Sequence, residues 1–214
     1  MFRQFGEHRK IICRFFVLTF LCCICIEANT LNFDDFQDGD LIFQTSNSLQ
    51  SQAIQLATNS RYSHCGIIYR INGRIYVYEA VQTVRFTPIN DWIKRGKDEH
   101  YVVKRLKNAD KLLTTSALNK LRKTGERFKG KPYDLIFAWS DEKMYCSELI
   151  YKIYNESLNI RLGELQTLGD FNLSHPVVKE KLRERYGNNI PLSETVISPE
   201  AIFQSPLLVT IFSM

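Results

Sequence analysis

Two runs of β-prone residues on either side of Asn72-Gly73 are the clearest pattern in the chain. His64–Ile71 and Arg74–Val81 are both rich in β-branched and aromatic side chains. An Asn-Gly pair between two such runs is the strongest short-range signal for a β-hairpin with a two-residue turn. The sequence therefore predicts two antiparallel strands, along which successive side chains point to opposite faces.

Apolar positions before and after the hairpin predict further strands and helices. Leu41-Ile42-Phe43 is typical of a short buried strand, and Tyr101–Leu106 of another. Ser46 or Ser48 is placed to cap a helix, because apolar residues follow at helical spacing. A second helix is predicted by the apolar positions between 113 and 128. These elements place strands and helices in one α+β chain.

The C-terminal part of the chain predicts three helices and a strand. Leu149, Ile150 and Ile153 continue a helical pattern that starts at Cys146. The segment 177–186 is typical of a charged surface helix. Ser198-Pro199 is a helix start with proline at the first helical position, and 207–212 is strand-like. No repeat, low-complexity tract or linker divides the chain, so residues 29–214 are predicted to form one domain.

The N-terminal segment predicts export. Arg3, Arg9 and Lys10 precede an apolar run that ends near Ile26, as in a secretory signal peptide. We interpret residues 1–28 as that signal, with cleavage near Ala28 and a periplasmic or extracellular destination.

Two alternatives for this segment are a membrane anchor and a lipoprotein signal. The uninterrupted run Phe15–Ile26 falls short of the roughly 20 residues that a bilayer span requires. Cys22, Cys23 and Cys25 are lipidation candidates, but the small residues expected just before a lipidated cysteine are missing.

Composition and charge exclude some classes of function. The 214 residues are 44% hydrophobic and 24% charged, which is ordinary for a globular protein. Residues 1–28 hold four basic and two acidic side chains, so their removal lowers the formal net charge from +5 to about +3. Such a small positive bias gives no reason to expect nucleic-acid binding.

Cysteine usage argues against both a disulfide scaffold and a metal centre. Four of the six cysteines lie in the signal segment, which leaves Cys65 and Cys146 in the mature chain. Two cysteines do not make a disulfide framework of the kind that small secreted domains use. No CxxC or HExxH spacing is present in residues 29–214. We therefore expect neither a metal nor another cofactor.

The hairpin brings a histidine and a carboxylate together. If Asn72-Gly73 forms a type I′ turn, Gly66 pairs with Glu79. In the same register His64 pairs with Val81. His64 and Glu79 are then diagonal neighbours on one face, about 7–8 Å apart between backbones, with only a glycine beside them. A carboxylate so placed can hold an imidazole by one nitrogen, whereas a one-residue slip would put Glu79 on the opposite face.

Cys146 is the candidate nucleophile. It opens a helix, where unsatisfied N–H groups and the helix dipole lower the pKa of a thiol. Ser147 and Glu148 suit a helix N-terminus, and Glu148 is expected to cap the helix or form a salt bridge. The alternative is an inert buried cysteine.

The other cysteine and histidines have ordinary explanations. Cys65 is predicted to point away from His64 into the layer behind the strand, as a core thiol. Its pairing with Cys146 is therefore not expected. His100 follows a charged stretch and is predicted to be a solvated loop residue. His175 precedes a proline in a loop and is predicted to be structural or exposed.

The order His64, Glu79, Cys146 resembles a circularly permuted papain-like family. In papain-like hydrolases the cysteine usually comes first, whereas the YiiX/YebB-like branch of the NlpC-type superfamily reverses the order. The resemblance covers about residues 36–210. It rests on the segments Asp38-Gly39-Asp40-Leu41-Ile42-Phe43, Ser63-His64-Cys65-Gly66-Ile67, Val77-Tyr78-Glu79-Ala80, Gly130-Lys131-Pro132-Tyr133-Asp134, Tyr145-Cys146-Ser147-Glu148-Leu149 and Ser198-Pro199-Glu200.

The resemblance implies a fold and roles for four residues. The fold is a small antiparallel sheet packed against the helix that carries the nucleophile. Cys146 is implied as nucleophile, His64 as general base and Glu79 as the residue that orients His64. Tyr133 lies in the segment before the nucleophile, where related enzymes supply an oxyanion-hole group. The least matched segment, 162–191, is a candidate insertion that shapes the substrate cleft.

The expected activity is that of an exported cysteine hydrolase that forms a thioester acyl-enzyme. It would cleave an amide or ester, with cell-wall peptide amides as one candidate substrate and the cell envelope as a place of association. One alternative is a lipid-directed hydrolase or acyltransferase similar to lecithin:retinol acyltransferase-like enzymes. The other is a binding module without catalysis. The sequence leaves the substrate, peptide or lipid, and the oligomeric state open.

Overall fold

The computed structural model describes Met1 and residues 33–214. Apart from Met1, the predicted signal peptide lies outside the described residues, so export stays a prediction. Within the described part of the chain, no helix is long and apolar enough to cross a bilayer.

A six-stranded antiparallel sheet forms the centre of the fold. Its strand order is β4-β3-β2-β1-β5-β8, and β6 pairs with β7 in a separate two-stranded sheet. The strands are β1 (Leu41–Ser46), β2 (His64–Ile71), β3 (Arg74–Ala80), β4 (Val84–Pro88), β5 (Gly96–Leu106), β6 (Gln166–Thr167), β7 (Thr195–Val196) and β8 (Leu208–Ser213).

The first and last helices begin at serine residues that cap them. Ser48 and Ser198 accept backbone N–H bonds at the starts of the first and last helices. The α-helices are α1 (Leu49–Thr58), α2 (Ile89–Lys94), α3 (Ala109–Leu112), α4 (Thr115–Glu126), α5 (Cys146–Leu158), α6 (Pro176–Tyr186) and α7 (Pro199–Phe203). The helix predicted from Cys146 therefore starts at that residue.

The β2–β3 hairpin has the predicted register. Ile71 pairs with Arg74 and Ile67 with Tyr78. Asn72 and Gly73 have φ values of 50° and 76°, and a type I′ turn requires positive φ at both central positions. A methyl group on Gly66 would lie 2.3 Å from Cγ1 of Val77. Only glycine fits at that position without a shift of its neighbours.

The main core lies between the sheet and helices α4 and α5. Helix α5 packs on β2, β3 and α4, and its residues from Cys146 to Tyr154 are buried. The opposite face of the sheet meets α2, whose Trp92 is fully buried. The predicted α+β fold, an antiparallel sheet packed against the helix that starts at Cys146, is confirmed.

The Asp38-Gly39-Asp40 segment before β1 has a structural role. Buried Asp40 accepts two hydrogen bonds from Arg105 of β5, from Nε to Oδ1 and from Nη2 to Oδ2, both 2.7 Å. Asp38 binds the Arg122 guanidinium of α4. Between them, Gly39 has a φ of +86°, in the region that favours glycine. The segment joins the sheet to α4.

Removing Arg105 is expected to destabilise the fold. Arg105→Met leaves the Asp40 carboxylate buried without its partner, which costs about 3–5 kcal/mol in the free energy of unfolding. Urea denaturation of both proteins measures the difference. The double variant Asp40→Leu/Arg105→Met removes both charges and is expected to recover most of the loss. Equal stability of Arg105→Met and wild type would contradict a structural role for the pair.

The prediction for His100 is wrong. It lies within β5 rather than in a loop, because this strand starts at Gly96 and not near Tyr101. Its ring stacks on Tyr62 at 6.2 Å between centroids, and burial lowers the pKa of His100. The strand extends over the charged residues because β1 pairs with this end of β5 as well, Ser46 opposite Gly96.

Candidate active site

His64 and Glu79 meet at the open end of the hairpin. Nε2 of His64 lies 2.6 Å from Oε2 of Glu79. The Glu79 side chain is fully buried, and that of His64 is 12% exposed. The ring of Trp92, from α2, stacks on His64 at 6.0 Å between centroids. The imidazole is held by one nitrogen, which leaves Nδ1 for a second partner.

Glu79 has two further partners that the sequence reasoning missed. Thr87 Oγ1 of β4 donates to Oε1 of Glu79 at 2.6 Å, and Arg95, just after α2, donates to the same oxygen. Burial raises the pKa of Glu79, but these donors and His64 outweigh it, so the pKa of Glu79 is lowered. Glu79 therefore stays ionised beside the imidazole.

Cys146 is the second partner of His64. It is the first residue of α5 and is 2% exposed. Its thiol is in hydrogen-bond contact with the His64 ring. The start of α5 is fixed by Ser147, whose hydroxyl donates to the Ile197 carbonyl at 2.7 Å, and by Glu148, which accepts the Tyr145 N–H at 3.4 Å. These bonds hold the thiol against the histidine.

The charges of the three groups support one another. Burial lowers the pKa of His64, but contact with Cys146 and Glu79 outweighs it and raises the pKa to about 10. The hydrogen bond from Cys65 and the charge of His64 outweigh burial and lower the pKa of Cys146 well below its ordinary value. A thiolate–imidazolium pair, the reactive form of a cysteine nucleophile, is thus favoured near neutral pH.

Cys65 lies in the layer behind the strand, as predicted, but its neighbour there was not predicted. Strand alternation correctly turns it away from the face of Glu79, and it is buried and free. The layer behind the strand, however, is the one that α5 occupies. The Cys65 thiol therefore contacts Cys146, and burial together with Cys146 raises the pKa of Cys65. It acts as a hydrogen-bond donor to the thiolate.

Tyr133 stands beside the same thiol. Its backbone N–H donates to the Gln82 carbonyl at 3.0 Å, and it forms an isolated bridge with Met144, two residues before Cys146. Its hydroxyl accepts a hydrogen bond from Nε2 of Gln50 at 3.1 Å. Burial and the nearby Cys146 raise the pKa of Tyr133, so its phenol keeps its proton.

Two cavities meet at Tyr133. A cavity of about 500 Å³ is lined by His64, Arg95 and several serine and glutamine side chains. A smaller one of about 80 Å³ reaches Cys146 and is lined mainly by apolar groups. Leu168 and Phe171, from the segment 162–191, also line the second cavity. Tyr133 lines both cavities.

The comparisons with known proteins agree with this geometry. A family model described as permuted papain-like amidase enzyme, YaeF/YiiX, C92 family, matches residues 35–212. The chain belongs to this permuted papain-like amidase family. The resemblance that was drawn from residues 36–210 is therefore confirmed.

Two relatives from Escherichia coli illustrate the family. The uncharacterized protein YiiX of strain K12 is 50% identical over 175 residues, which cover 82% of this chain and 85% of that protein. The crystal structure of a protein described as the metalloprotein yiiX, from O157:H7, has a TM-score of 0.80 and 49% identity. That match covers 83% of this chain and 97% of the other.

The site of this family member contains four predicted residues and four that were missed. The predicted set is Cys146, His64, Glu79 and Tyr133, and the structure brings all four together. The missed residues are Thr87, Arg95, Cys65 and Gln50. Thr87 was within reach of sequence reasoning, because pairing β4 with β3 puts it diagonal to Glu79. The other three carry no local signal.

Proposed function

We propose that the protein is a cysteine hydrolase that cleaves amides or esters through a thioester on Cys146. The observation that carries this proposal is the contact of the Cys146 thiol with His64, whose other ring nitrogen is bonded to buried Glu79. Membership of an amidase family supports the same chemistry.

The proposed reaction begins with attack by the Cys146 thiolate on the substrate carbonyl carbon. The carbonyl oxygen takes the electron pair and becomes an oxyanion, which the Cys146 N–H and the Tyr133 hydroxyl stabilise. Collapse of this intermediate breaks the bond to the leaving group, and His64 gives that group its proton. Water then attacks the thioester, His64 accepts a proton, and the acid and the free thiol are released.

The roles of the surrounding residues follow from their contacts. Glu79 fixes the orientation of His64 and stabilises the imidazolium, and Thr87 and Arg95 keep Glu79 ionised. Among residues 33–214, no group of three or more His, Cys, Asp or Glu side chains is arranged to hold a metal ion.

Trapping of the acyl-enzyme tests the proposal. The purified protein is mixed with an activated ester of an apolar acid, quenched in acid and analysed by intact mass spectrometry. We expect the mass of one acyl group on Cys146, removable by hydroxylamine and missing in Cys146→Ala. Hydrolysis without any acylation of Cys146, under conditions that trap a control cysteine hydrolase, would refute the thioester mechanism.

The two cavities support a direction for the substrate. His64, which protonates the leaving group, lines the larger cavity of mixed polar and apolar character, whereas Cys146 lines the smaller and almost wholly apolar one. We propose that the acyl group occupies the smaller cavity and the leaving group the larger one. A peptide amide with an apolar residue at the scissile carbonyl fits this arrangement.

A second candidate function is lipid-directed hydrolysis or acyl transfer. The apolar cavity beside Cys146 favours it, although about 80 Å³ is small beside the roughly 300–1,000 Å³ of typical ligand cavities. This volume fits one apolar side chain or the first part of an acyl chain. Comparing peptide amides with lipid esters as substrates, with and without an acyl acceptor, separates the two candidates.

We also propose that the enzyme works outside the cytoplasm, in the cell envelope or beyond it. The basis is the positively charged and then apolar sequence of residues 1–28. Mass spectrometry of the protein from the periplasm or culture medium tests this. A mature N-terminus near Ala28 is expected, and an intact Met1 on protein confined to the cytoplasm would refute it.

A further inference from the structure

Gln50 connects helix α1 to the Tyr133 hydroxyl. Its Nε2 donates to Oη of Tyr133 at 3.1 Å across 83 positions of sequence. Gln50 lies in the first turn of α1, which is capped by the Ser48 side chain. It also lines the larger cavity together with Tyr133 and His64. Gln50 takes no direct part in the proposed reaction, but it contacts Tyr133, which does.

The direction of this bond determines whether the Tyr133 hydroxyl can donate its hydrogen to another group. A phenol has one hydrogen to donate and can accept two hydrogen bonds. Gln50 donates to the oxygen, so the bond between the two residues does not use the hydroxyl hydrogen. In the described part of the chain, no hydrogen bond uses that hydrogen. It remains available to a group in the cleft.

Backbone contacts fix the position of Tyr133 in the chain beside the start of α5. The backbone of Tyr133 is bonded to Gln82 on one side and bridged to Met144 on the other. The Asp134 N–H also donates to the Met144 carbonyl at 3.2 Å. The hydroxyl hydrogen can still rotate about the bond between the ring and the oxygen. Gln50 is placed to restrict that rotation.

We propose that Gln50 is a positioning residue that directs the Tyr133 hydroxyl hydrogen toward the oxyanion formed on the substrate of Cys146. The inference rests on the proposed function and adds the group that orients one of its oxyanion donors. Gln50 acts through Tyr133 and does not contact the reacting atoms. Its effect is expected in kcat, because the oxyanion exists only in the transition state and intermediate.

Gln50→Glu tests the direction of the bond. An ionised carboxylate can only accept, so it would take the Tyr133 hydrogen away from the cleft. We expect kcat to fall about 10²-fold, as for loss of one oxyanion donor, with KM changed by less than about twofold. Gln50→Leu removes the hydrogen bond without reversing its direction. We expect its kcat to fall less than that of Gln50→Glu. Gln52→Glu, exposed in the same helical turn, is the matched charge control and is expected to behave like wild type.

A double-variant cycle separates orientation from charge. In a Tyr133→Phe background there is no hydroxyl to orient, so Gln50→Glu is expected to have little further effect on kcat. An equal loss in both backgrounds would mean that the added charge acts directly, and would overturn the inference. The inference would also be overturned if Tyr133→Phe had a lowered kcat while Gln50→Glu had the kcat of wild type.

These outcomes differ from a failure of the proposed function. If hydrolysis persists in Cys146→Ala, the cysteine mechanism itself is wrong, whatever Gln50 does. If Cys146→Ala and Tyr133→Phe are both impaired but Gln50→Glu is not, only the role of Gln50 is wrong. The alkylation rate of Cys146 on its high-pH plateau, measured in every Gln50 and Tyr133 variant, shows that the thiol and the fold remain intact.

Discussion

Replacing Cys146 with alanine is expected to lower kcat for amide or ester hydrolysis by at least about 10⁴-fold, the range seen when a covalent nucleophile is removed. In the proposed mechanism the thiolate forms the bond to the acyl group, and the alanine methyl offers no atom that can do so. Progress curves at saturating substrate, compared with the uncatalysed rate in the same buffer, measure the loss.

The same variant is expected to keep its fold. Cys146→Ala removes a single buried sulfur atom, and a change of about 1 kcal/mol in the free energy of unfolding is typical of such a substitution. Cys146→Ser keeps the shape of the side chain but is also expected to be inactive, since a hydroxyl beside His64 is far harder to ionise than a thiol. Retained turnover in the alanine variant would remove Cys146 from the mechanism.

Replacing His64 with alanine is expected to raise the pKa of the Cys146 thiol. In the native site the hydrogen bond from Cys65 and the contact with His64 together lower the pKa of the Cys146 thiol. Without the imidazolium only the Cys65 bond opposes the effect of burial, so the pKa of Cys146 rises toward the reference value of about 8.5. Alkylation rates against pH in both proteins measure this shift.

The His64 variant is also expected to lose turnover. No group then protonates the leaving amine, so kcat falls by about 10³-fold or more. His175→Ala is the matched control, because His175 accepts the Val177 N–H at the start of α6 and takes no part in the site. Identical alkylation profiles for wild type and His64→Ala would mean that no ion pair forms. A binding module without catalysis would then be the better hypothesis.

The reversed order of the residues leaves the site geometry intact because each part depends on a local element. His64 and Glu79 come from one hairpin and need only the turn between them to meet. Cys146 needs only the start of a helix that packs on β2. Which of these segments comes first in the chain does not change their packing. The permutation is therefore a change in connectivity that these local elements tolerate.

The sequence by itself determined the parts of the site that depend on local structure. Asn72-Gly73 fixed the hairpin register, because a type I′ turn allows one pairing of the flanking strands, and that register placed His64 and Glu79 on one face. The helix that starts at Cys146 was predictable from its apolar spacing and first-turn residues. Both signals act within a few residues, so no knowledge of the packing was needed.

Only the tertiary structure decided which groups surround these residues. The alternation of side chains along β2 correctly predicted that Cys65 lies on the sheet face opposite Glu79. Alternation does not predict which element packs on that face. That element is α5, so Cys65 touches Cys146. Arg95 and Gln50 reach the site from other helices, and His100 joined a strand because β1 pairs with that end of β5. Such contacts depend on how layers pack, and side-chain patterns along one segment carry no information about the neighbouring layer.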